Sequence, residues 1–313
     1  MCRKIEKGLI MPRVFISTSS FAEYDALPLK LLSDAGMDVQ LNPYGRKLTP
    51  DECLSLYKDI DGLIAGTEAL TAEILKSARN LKVISRCGVG MDNIDLEIAR
   101  QHGIKVFNTP DSPTVAVAEL TVGLMLALLR HVPRGDRDIR GGKWQKRMGN
   151  LLRGKKVGII GLGRIGQKVA ELVVGLGAQV VYCDPAVNRT DYTPMTLDKL
   201  LSQSDIVSLH LSGGAKDAPL LGDRELRSMK QGSWLINCAR GGVVDEEALC
   251  QVLQQGWLSG AALDVFEQEP YAGPLAKLDN VILTPHIGSY AIESRVDMEV
   301  QAARNLIEGF KNV

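Results

Sequence analysis

Short apolar runs alternate with segments of helical periodicity from Arg13 almost to the end of the chain. RVFIST (13–18), DVQLN (38–42), DGLIAG (61–66), LKVISR (81–86) and IKVFN (104–108) read as strands, each brief and flanked by polar or glycine-containing turns. Helical patterns fill the gaps. One covers Leu27 to Asp34. A second opens with Thr49 as N-cap, Pro50 at the first helical position and Glu52 closing a capping box. Others start near Thr71 and end near Gly103. Five strands separated by helices predict a parallel, doubly wound sheet.

A long apolar helix is predicted from Ser112, with Pro113 in its first turn, to about Arg130. GDRDIRGGKWQKR (135–147) then reads as a polar, glycine-containing loop, with Trp144 as a packing or interface residue. The alternation restarts with KVGIIG (156–161), VVYCD (180–184), DIVSLHL (205–211), SWLINC (233–238), AALDV (261–265) and VILTPH (281–286). The last segment is predicted helical from about Ser289. The fold class is therefore α/β, with two doubly wound parallel-sheet units and a terminal helix. At 313 residues the chain has length for two domains, each with its own core.

Within this pattern, Gly161, Gly163 and Gly166 follow an apolar strand and open a helix whose Val169, Leu172, Val173 and Leu176 repeat at helical spacing. Spacing alone is weak evidence, but the strand and helix around it supply the context that a dinucleotide requires. Gly161 permits the tight turn, Gly163 lets the backbone approach a pyrophosphate, and Gly166 permits close helix–sheet packing. The unpaired N–H groups of the helix N-terminus then face the phosphates. Asp184 ends the next strand, 18 residues after Gly166, where a carboxylate accepts from ribose hydroxyls and repels a 2′-phosphate. NAD is thus expected over NADP, with Arg189 downstream as the one residue that points the other way.

Charge and cysteine usage narrow the partners. Lys+Arg and Asp+Glu balance at 37 each, so there is no basic surplus of the kind on which nucleic-acid or anionic-membrane binders rely. The six cysteines, Cys2, Cys53, Cys87, Cys183, Cys238 and Cys250, form no C-x-x-C and never meet a histidine at metal-ligand spacing. Reduced thiols, no metal and a cytoplasmic location are the expectation. Residues 1–10 read as an extension too short in apolar length for a signal peptide, and Val115 to Leu129 falls short of a membrane span.

Three further segments, LINCARGGVVDEEAL (235–249), GAALDVFEQEP (260–270) and VILTPHIGS (281–289), each end or follow a strand of the second unit. They should bring an arginine, an acid and a histidine to the carboxyl edge of one sheet, where doubly wound folds bind ligands. The order GLGRIG, CARGGVVDE, ALDVFEQEP and TPHIG resembles the D-isomer-specific 2-hydroxyacid dehydrogenase family, closest to its short phosphoglycerate-dehydrogenase-like branch. RCGVGMDNIDL (86–96) and FNTPDSPTVAVAELTVGLMLALLR (107–130) resemble the substrate loop and interdomain helix of that family.

The resemblance implies two Rossmann- or flavodoxin-like domains, a substrate domain of residues 1–107 and 290–313 with an NAD domain of 108–289 inserted in it. It also implies a homodimer and a small 2-hydroxy or 2-oxo acid substrate, with 3-phosphoglycerate and an unphosphorylated acid both open. His286 is then the acid–base, since an imidazole can give a proton and take it back at the same position. Glu269 holds its tautomer, and Arg240 grips the substrate carboxylate with a rigid fork of donors. Backbone N–H groups of Cys87, Gly88, Val89 and Gly90 complete that carboxylate site. Asp264 contacts the nicotinamide end, Cys238 and Ala239 border the cofactor, and Arg164, Ile165, Leu211 and Gly288 join Gly161, Gly163, Gly166, Asp184, Arg240 and His286 around it. His210 reads as a structural residue close to the cofactor.

Two departures bear on the substrate. Phosphoglycerate-oxidising relatives tend to carry an arginine in the loop after DGLIAG, whereas this chain reads Ala65-Gly66-Thr67-Glu68-Ala69, and an inward Glu68 would oppose a phosphate. The family's H-x-P-L is His210-Leu211-Ser212-Gly213 here. An NAD(H)-binding sensor resembling corepressors of the same fold is the alternative; a formate-dehydrogenase-like enzyme is disfavoured because its histidine pairs with a glutamine.

Overall fold

A computed structural model describes residues 11–187, 191–211 and 218–311. Arg189, Ser212 and Gly213 lie outside the described residues. The chain divides into two compact units, one made of the chain before Thr114 together with the chain after Tyr290, the other of Thr114–Tyr290.

In the first unit, β1 (Arg13–Ile16), β2 (Asp38–Leu41), β3 (Gly62–Ala65), β4 (Val83–Arg86) and β5 (Lys105–Phe107) form one parallel sheet in the order β2-β1-β3-β4-β5. The crossovers carry α1 (Leu27–Asp34), α2 (Pro50–Leu56), α3 (Ala72–Ser77) and α4 (Leu96–Gln101). Thr49 caps α2 through the expected capping box, and Thr71 and Asp95 cap α3 and α4 by accepting from the backbone of Ile74 and Ile98. One sheet face is covered by α2, α3 and α4, with Leu63, Ile84, Leu75 and Tyr57 in its core. The other face is covered by α1, through Leu32, and by a helix that follows the second unit, α11. It runs Ile292–Lys311 and buries Met298, Ala302, Ala303 and Leu306 against Val14, Ile16, Ile64 and Val83. Contact there is tight: a Cβ on Gly309 would stand 2.5 Å from Val83, and one on Gly62 would stand 2.8 Å from Phe310.

The second unit opens with α5 (Thr114–Leu129) and α6 (Val132–Arg140). Its seven strands are β6 (Lys156–Ile160), β7 (Gln179–Cys183), β8 (Thr193–Pro194), β9 (Ile206–Leu209), β10 (Trp234–Asn237), β11 (Gly260–Leu263) and β12 (Val281–Leu283). They lie parallel in the order β12-β11-β10-β9-β6-β7-β8. One face packs on α5 and α7 (Arg164–Gly175), with Val117, Met125, Val157, Ile159, Val169 and Val173 interleaved. α8 (Leu197–Gln203), α9 (Asp223–Ser228) and α10 (Glu246–Gln254) cover the other through Leu200, Leu226 and Leu249. Because every strand runs the same way, the loops leaving β6, β9, β10, β11 and β12 all emerge at one edge.

The loop expected over 135–147 is helical as far as Arg140. α6 buries none of its residues, and Val132 and Ile139 are its only large apolar side chains, too few to mark a helix in the sequence. Its support is polar: Arg140 pairs with Asp136 one turn back at 2.9 Å, and Pro133 stands in its first turn. The remainder, 143–147, is irregular as expected, and Trp144 is 84% exposed.

Candidate active site

The strand order reverses between β6 and β9, and the glycine turn stands at that switch point. Gly161 has φ +90°, and a Cβ on it would stand 2.5 Å from the carbonyl oxygen of His210 and 3.2 Å from Leu211. A Cβ on Gly166 would stand 2.1 Å from the Gly161 carbonyl, so α7 approaches the turn as only glycine allows. Gly163 is the N-cap of α7, and a Cβ there meets no described atom within 4 Å. The first amides of a twelve-residue helix thus open onto free space beside an exposed Arg164 and a half-buried Ile165.

Asp184 follows β7 directly and is half-buried; its Oδ2 accepts from Leu162 N at 2.7 Å and its Oδ1 from Ala186 N at 2.9 Å. Each oxygen retains a lone pair for a ligand hydroxyl. His210 is 9% exposed, and its Nε2 lies 2.8 Å from Ser208 Oγ. Its Nδ1 is buried and bonds to no described residue. Burial pushes its pKa down to about 3, so the ring is neutral at the turn. An open N-cap, a carboxylate one strand away and an orphaned ring nitrogen together fit a dinucleotide with its pyrophosphate on α7.

Beyond β10, β11 and β12 the three remaining loops lock to one another. Asn237, the last residue of β10, ties the turn: its Oδ1 accepts from Ala239 N and its Nδ2 donates to Arg240 O, both at 3.1 Å. Arg240 Nη1 donates to Ala239 O at 2.8 Å. Cys238 is buried, and burial pushes its thiol up to about 12. The next residue fixes the Arg240 loop against the Glu269 loop, since a Cβ on Gly241 would stand 1.8 Å from the Phe266 carbonyl oxygen.

Glu269 Oε1 accepts from Phe266 N at 3.2 Å, and both carboxylate oxygens face His286 Nδ1, at 2.9 and 3.1 Å. The His286 side chain is half-exposed, and its backbone is left-handed at φ +55°, rare for a side chain of this size. Asp264, 1% exposed, explains how this conformation is held. Its Oδ1 accepts from Thr284 Oγ1 (2.6 Å) and Ile287 N (2.8 Å), and its Oδ2 accepts from Gly288 N (2.8 Å). One buried carboxylate therefore clamps the turn on both sides of His286. The family resemblance assigns Asp264 to the nicotinamide end of the cofactor, and the clamp on the His286 turn was not legible in the sequence.

Cys87, Gly88, Val89 and Gly90 belong to the first unit, after β4. There Cys87 N donates to Ala65 O at 2.9 Å and Gly88 N to Thr109 Oγ1 at 2.8 Å. Both amides are committed within the unit, whereas those of Val89 and Gly90 donate to no described residue. Arg86 Nη1 donates to the Cys87 carbonyl. The Cys87 thiol is buried, which pushes it up to about 11 and leaves it little thiolate. Glu68 is 2% exposed, and its Oε1 accepts from Tyr57 Oη and Gly66 N, both at 3.2 Å.

Residues 122–288 match the family described as D-isomer specific 2-hydroxyacid dehydrogenase, NAD binding domain. A glyoxylate reductase of Thermofilum pendens is 44% identical over 278 residues, 83% of this chain and 81% of the relative. A D-3-phosphoglycerate dehydrogenase of Methanocaldococcus jannaschii is 39% identical over 85% of this chain but only 52% of the relative. Among solved structures, the TT0316 protein of Thermus thermophilus superposes with a TM-score of 0.90 at 37% identity, covering 96% of this chain and 97% of that one.

Proposed function

The chain belongs to the D-isomer specific 2-hydroxyacid dehydrogenase family, an NAD-dependent family of enzymes, and on that premise we propose that it interconverts a short, unphosphorylated 2-oxo acid and its D-2-hydroxy acid. NAD(H), when bound, supplies the hydride carrier. Arg240 grips the substrate carboxylate and polarises the 2-oxo group, because its planar fork presents parallel donors. His286 gives a proton from Nε2 to the 2-oxo oxygen during reduction and takes it back during oxidation. Glu269 is a positioning residue that holds Nδ1.

The observation that carries this reading is the His286–Glu269 pair, with Nδ1 within 3.1 Å of both carboxylate oxygens. That contact directs Nε2 away from Glu269 and fixes the ring, the requirement for repeated proton transfer at one position. A protein that only senses NAD(H) has no use for it. Preference for NAD over NADP rests on Asp184, whose carboxylate repels a 2′-phosphate. Support for an unphosphorylated substrate comes from the Ala65–Ala69 loop, which carries a buried Glu68 and no arginine.

A homodimer is part of the proposal. Val115, Val132, Ile139, Trp144 and Met148 are all at least half exposed within one stretch of the second unit, more apolar surface than a solvated face needs. The test of function is NADH oxidation by the purified protein with glyoxylate, hydroxypyruvate, pyruvate and 3-phosphohydroxypyruvate. Turnover of the unphosphorylated acids is expected. Turnover of the phosphorylated acid alone would overturn the substrate reading, and no turnover of any would overturn the roles of Arg240 and His286.

A further inference from the structure

Arg240 stands three residues beyond the end of β10, so the direction of its side chain depends on one short turn. β10 is a central strand, and Asn237 at its end lies opposite Leu209 of β9 on one side and Leu263 of β11 on the other. The Asn237 carbonyl also accepts from Asp264 N at 2.9 Å. The backbone that carries the Asn237 side chain is therefore fixed by its neighbours.

That side chain belongs to a residue 2% exposed, and both of its polar atoms are engaged in the turn that follows. Oδ1 accepts from Ala239 N and Nδ2 donates to Arg240 O, both at 3.1 Å. The first contact is an Asx-turn, which aspartate or serine could also make. The second needs a donor beside the acceptor, and among short side chains only asparagine carries the two on separate atoms. Ala239 passes the order on. Its N–H is held by Asn237, while its carbonyl accepts from Arg240 Nη1 at 2.8 Å. Beyond Arg240, Gly241 lies so close to the Phe266 carbonyl oxygen that a Cβ would stand 1.8 Å from it. Arg240 thus springs from a backbone pinned on both sides. An arginine on a looser turn samples many rotamers, and ordering it when a ligand binds costs entropy.

We propose that Asn237 is a positioning residue for substrate binding: by locking Ala239 it preorganises the Arg240 guanidinium before the 2-oxo acid arrives. The proposal rests on the dehydrogenase reading above, in which Arg240 binds the substrate carboxylate. Asn237 exerts its effect through Arg240 alone and takes no part in the proton transfer of His286 and Glu269.

Asn237→Ser keeps an oxygen for Ala239 N and removes the donor to Arg240 O. It should raise KM for glyoxylate about tenfold and weaken, by the same factor, binding of oxamate, an unreactive 2-oxo acid analogue, to the protein–NADH complex. The pH profile of kcat, which belongs to His286 and Glu269, should stay as in wild type. A double-mutant cycle separates positioning from mere structure. In an Arg240→Lys background, which has already lost the fork, adding Asn237→Ser should change oxamate affinity by less than about twofold. An equal factor in both backgrounds, or a folded Asn237→Ser protein with wild-type KM and oxamate affinity, overturns the proposal while the dehydrogenase reading stands. Asn237→Asp, which has the same shape but sets an acceptor against Arg240 O, should weaken oxamate binding at least as much and replaces the serine variant if that one does not fold. Failure of both to fold makes Asn237 a folding residue and overturns the proposal. A wild-type protein inactive on every acid overturns the dehydrogenase reading, and this proposal with it.

Discussion

Replacing Asp264 with asparagine keeps the shape of the side chain and removes its capacity to accept hydrogen bonds on both oxygens. In the orientation that loses least, the amide oxygen stays against Thr284 Oγ1 and Ile287 N, and the amide nitrogen faces Gly288 N at the position where Oδ2 accepts at 2.8 Å. One charge-assisted bond, about 1.5–3 kcal/mol, is lost, and a buried N–H is left facing another donor at a further about 1 kcal/mol. Together these give about 2–4 kcal/mol. For a unit of this size that corresponds to a fall in Tm of about 5–15 °C. The consequence for rate follows from where the clamp acts: the turn it holds contains His286 at φ +55°, which reverts to ordinary backbone when released. A displacement of about 1 Å at the proton-transfer group lowers kcat on the order of 100-fold. Thermal unfolding by circular dichroism and kcat for glyoxylate reduction measure the two effects on one preparation. An Asp264→Asn protein with wild-type Tm and wild-type kcat would refute the clamp and return Asp264 to a simple ligand contact.

His286→Asn should lower kcat by about 100-fold or more while NADH fluorescence titration gives an unchanged Kd, because only the acid–base group is removed. Gly241→Ala and Gly163→Ala should part company. The first pushes a Cβ to 1.8 Å from the Phe266 carbonyl and should lower both stability, by about 1–3 kcal/mol, and kcat. The second meets no described atom within 4 Å and should leave urea stability intact while weakening NADH binding. His210 supplies a pH dependence of stability. Its pKa is pushed from the usual range down to about 3 on folding, so the unfolded chain binds the extra proton first as pH falls below about 6.5. Stability from this group is thus present above about 6.5 and is lost towards 3, at up to about 1.4 kcal/mol per pH unit. His210→Gln should flatten the acid limb of urea midpoints against pH, and identical slopes in both proteins would refute it.

The sheets were legible because a strand buried on both faces has no choice but to be apolar, as GLIA and GAAL are at β3 and β11. The glycine turn was legible for a related reason: Gly161 and Gly166 meet backbone atoms that no side chain tolerates. α6 was not legible, because nothing in it is buried and its stability comes from charge pairs that periodicity does not register. The Arg240, Glu269 and His286 set was readable as residue types ending successive strands. The left-handed backbone of His286 was not, since it depends on hydrogen bonds that Ile287 N and Gly288 N donate to a residue 22 positions before His286, and sequence carries no record of which donors Asp264 meets. The amides of Cys87 and Gly88 illustrate the same limit, because their internal acceptors, Ala65 O and Thr109 Oγ1, come from other segments.

The way α11 covers the first unit sets an order of events on the ribosome. The second unit is one continuous stretch, Thr114–Tyr290, and can close as soon as it has emerged. The sheet β2-β1-β3-β4-β5 is made earlier, yet on one face Val14, Ile16, Ile64 and Val83 have only the partial cover of Leu32 on α1, with Phe21 and Met37, until Met298, Ala302 and Leu306 arrive. At about 5–20 residues per second, synthesis of the intervening stretch takes on the order of ten seconds or more. The sheet made before the second unit is therefore finished after it, and it waits with part of an apolar face open to chaperones, or to another nascent copy in the same condition.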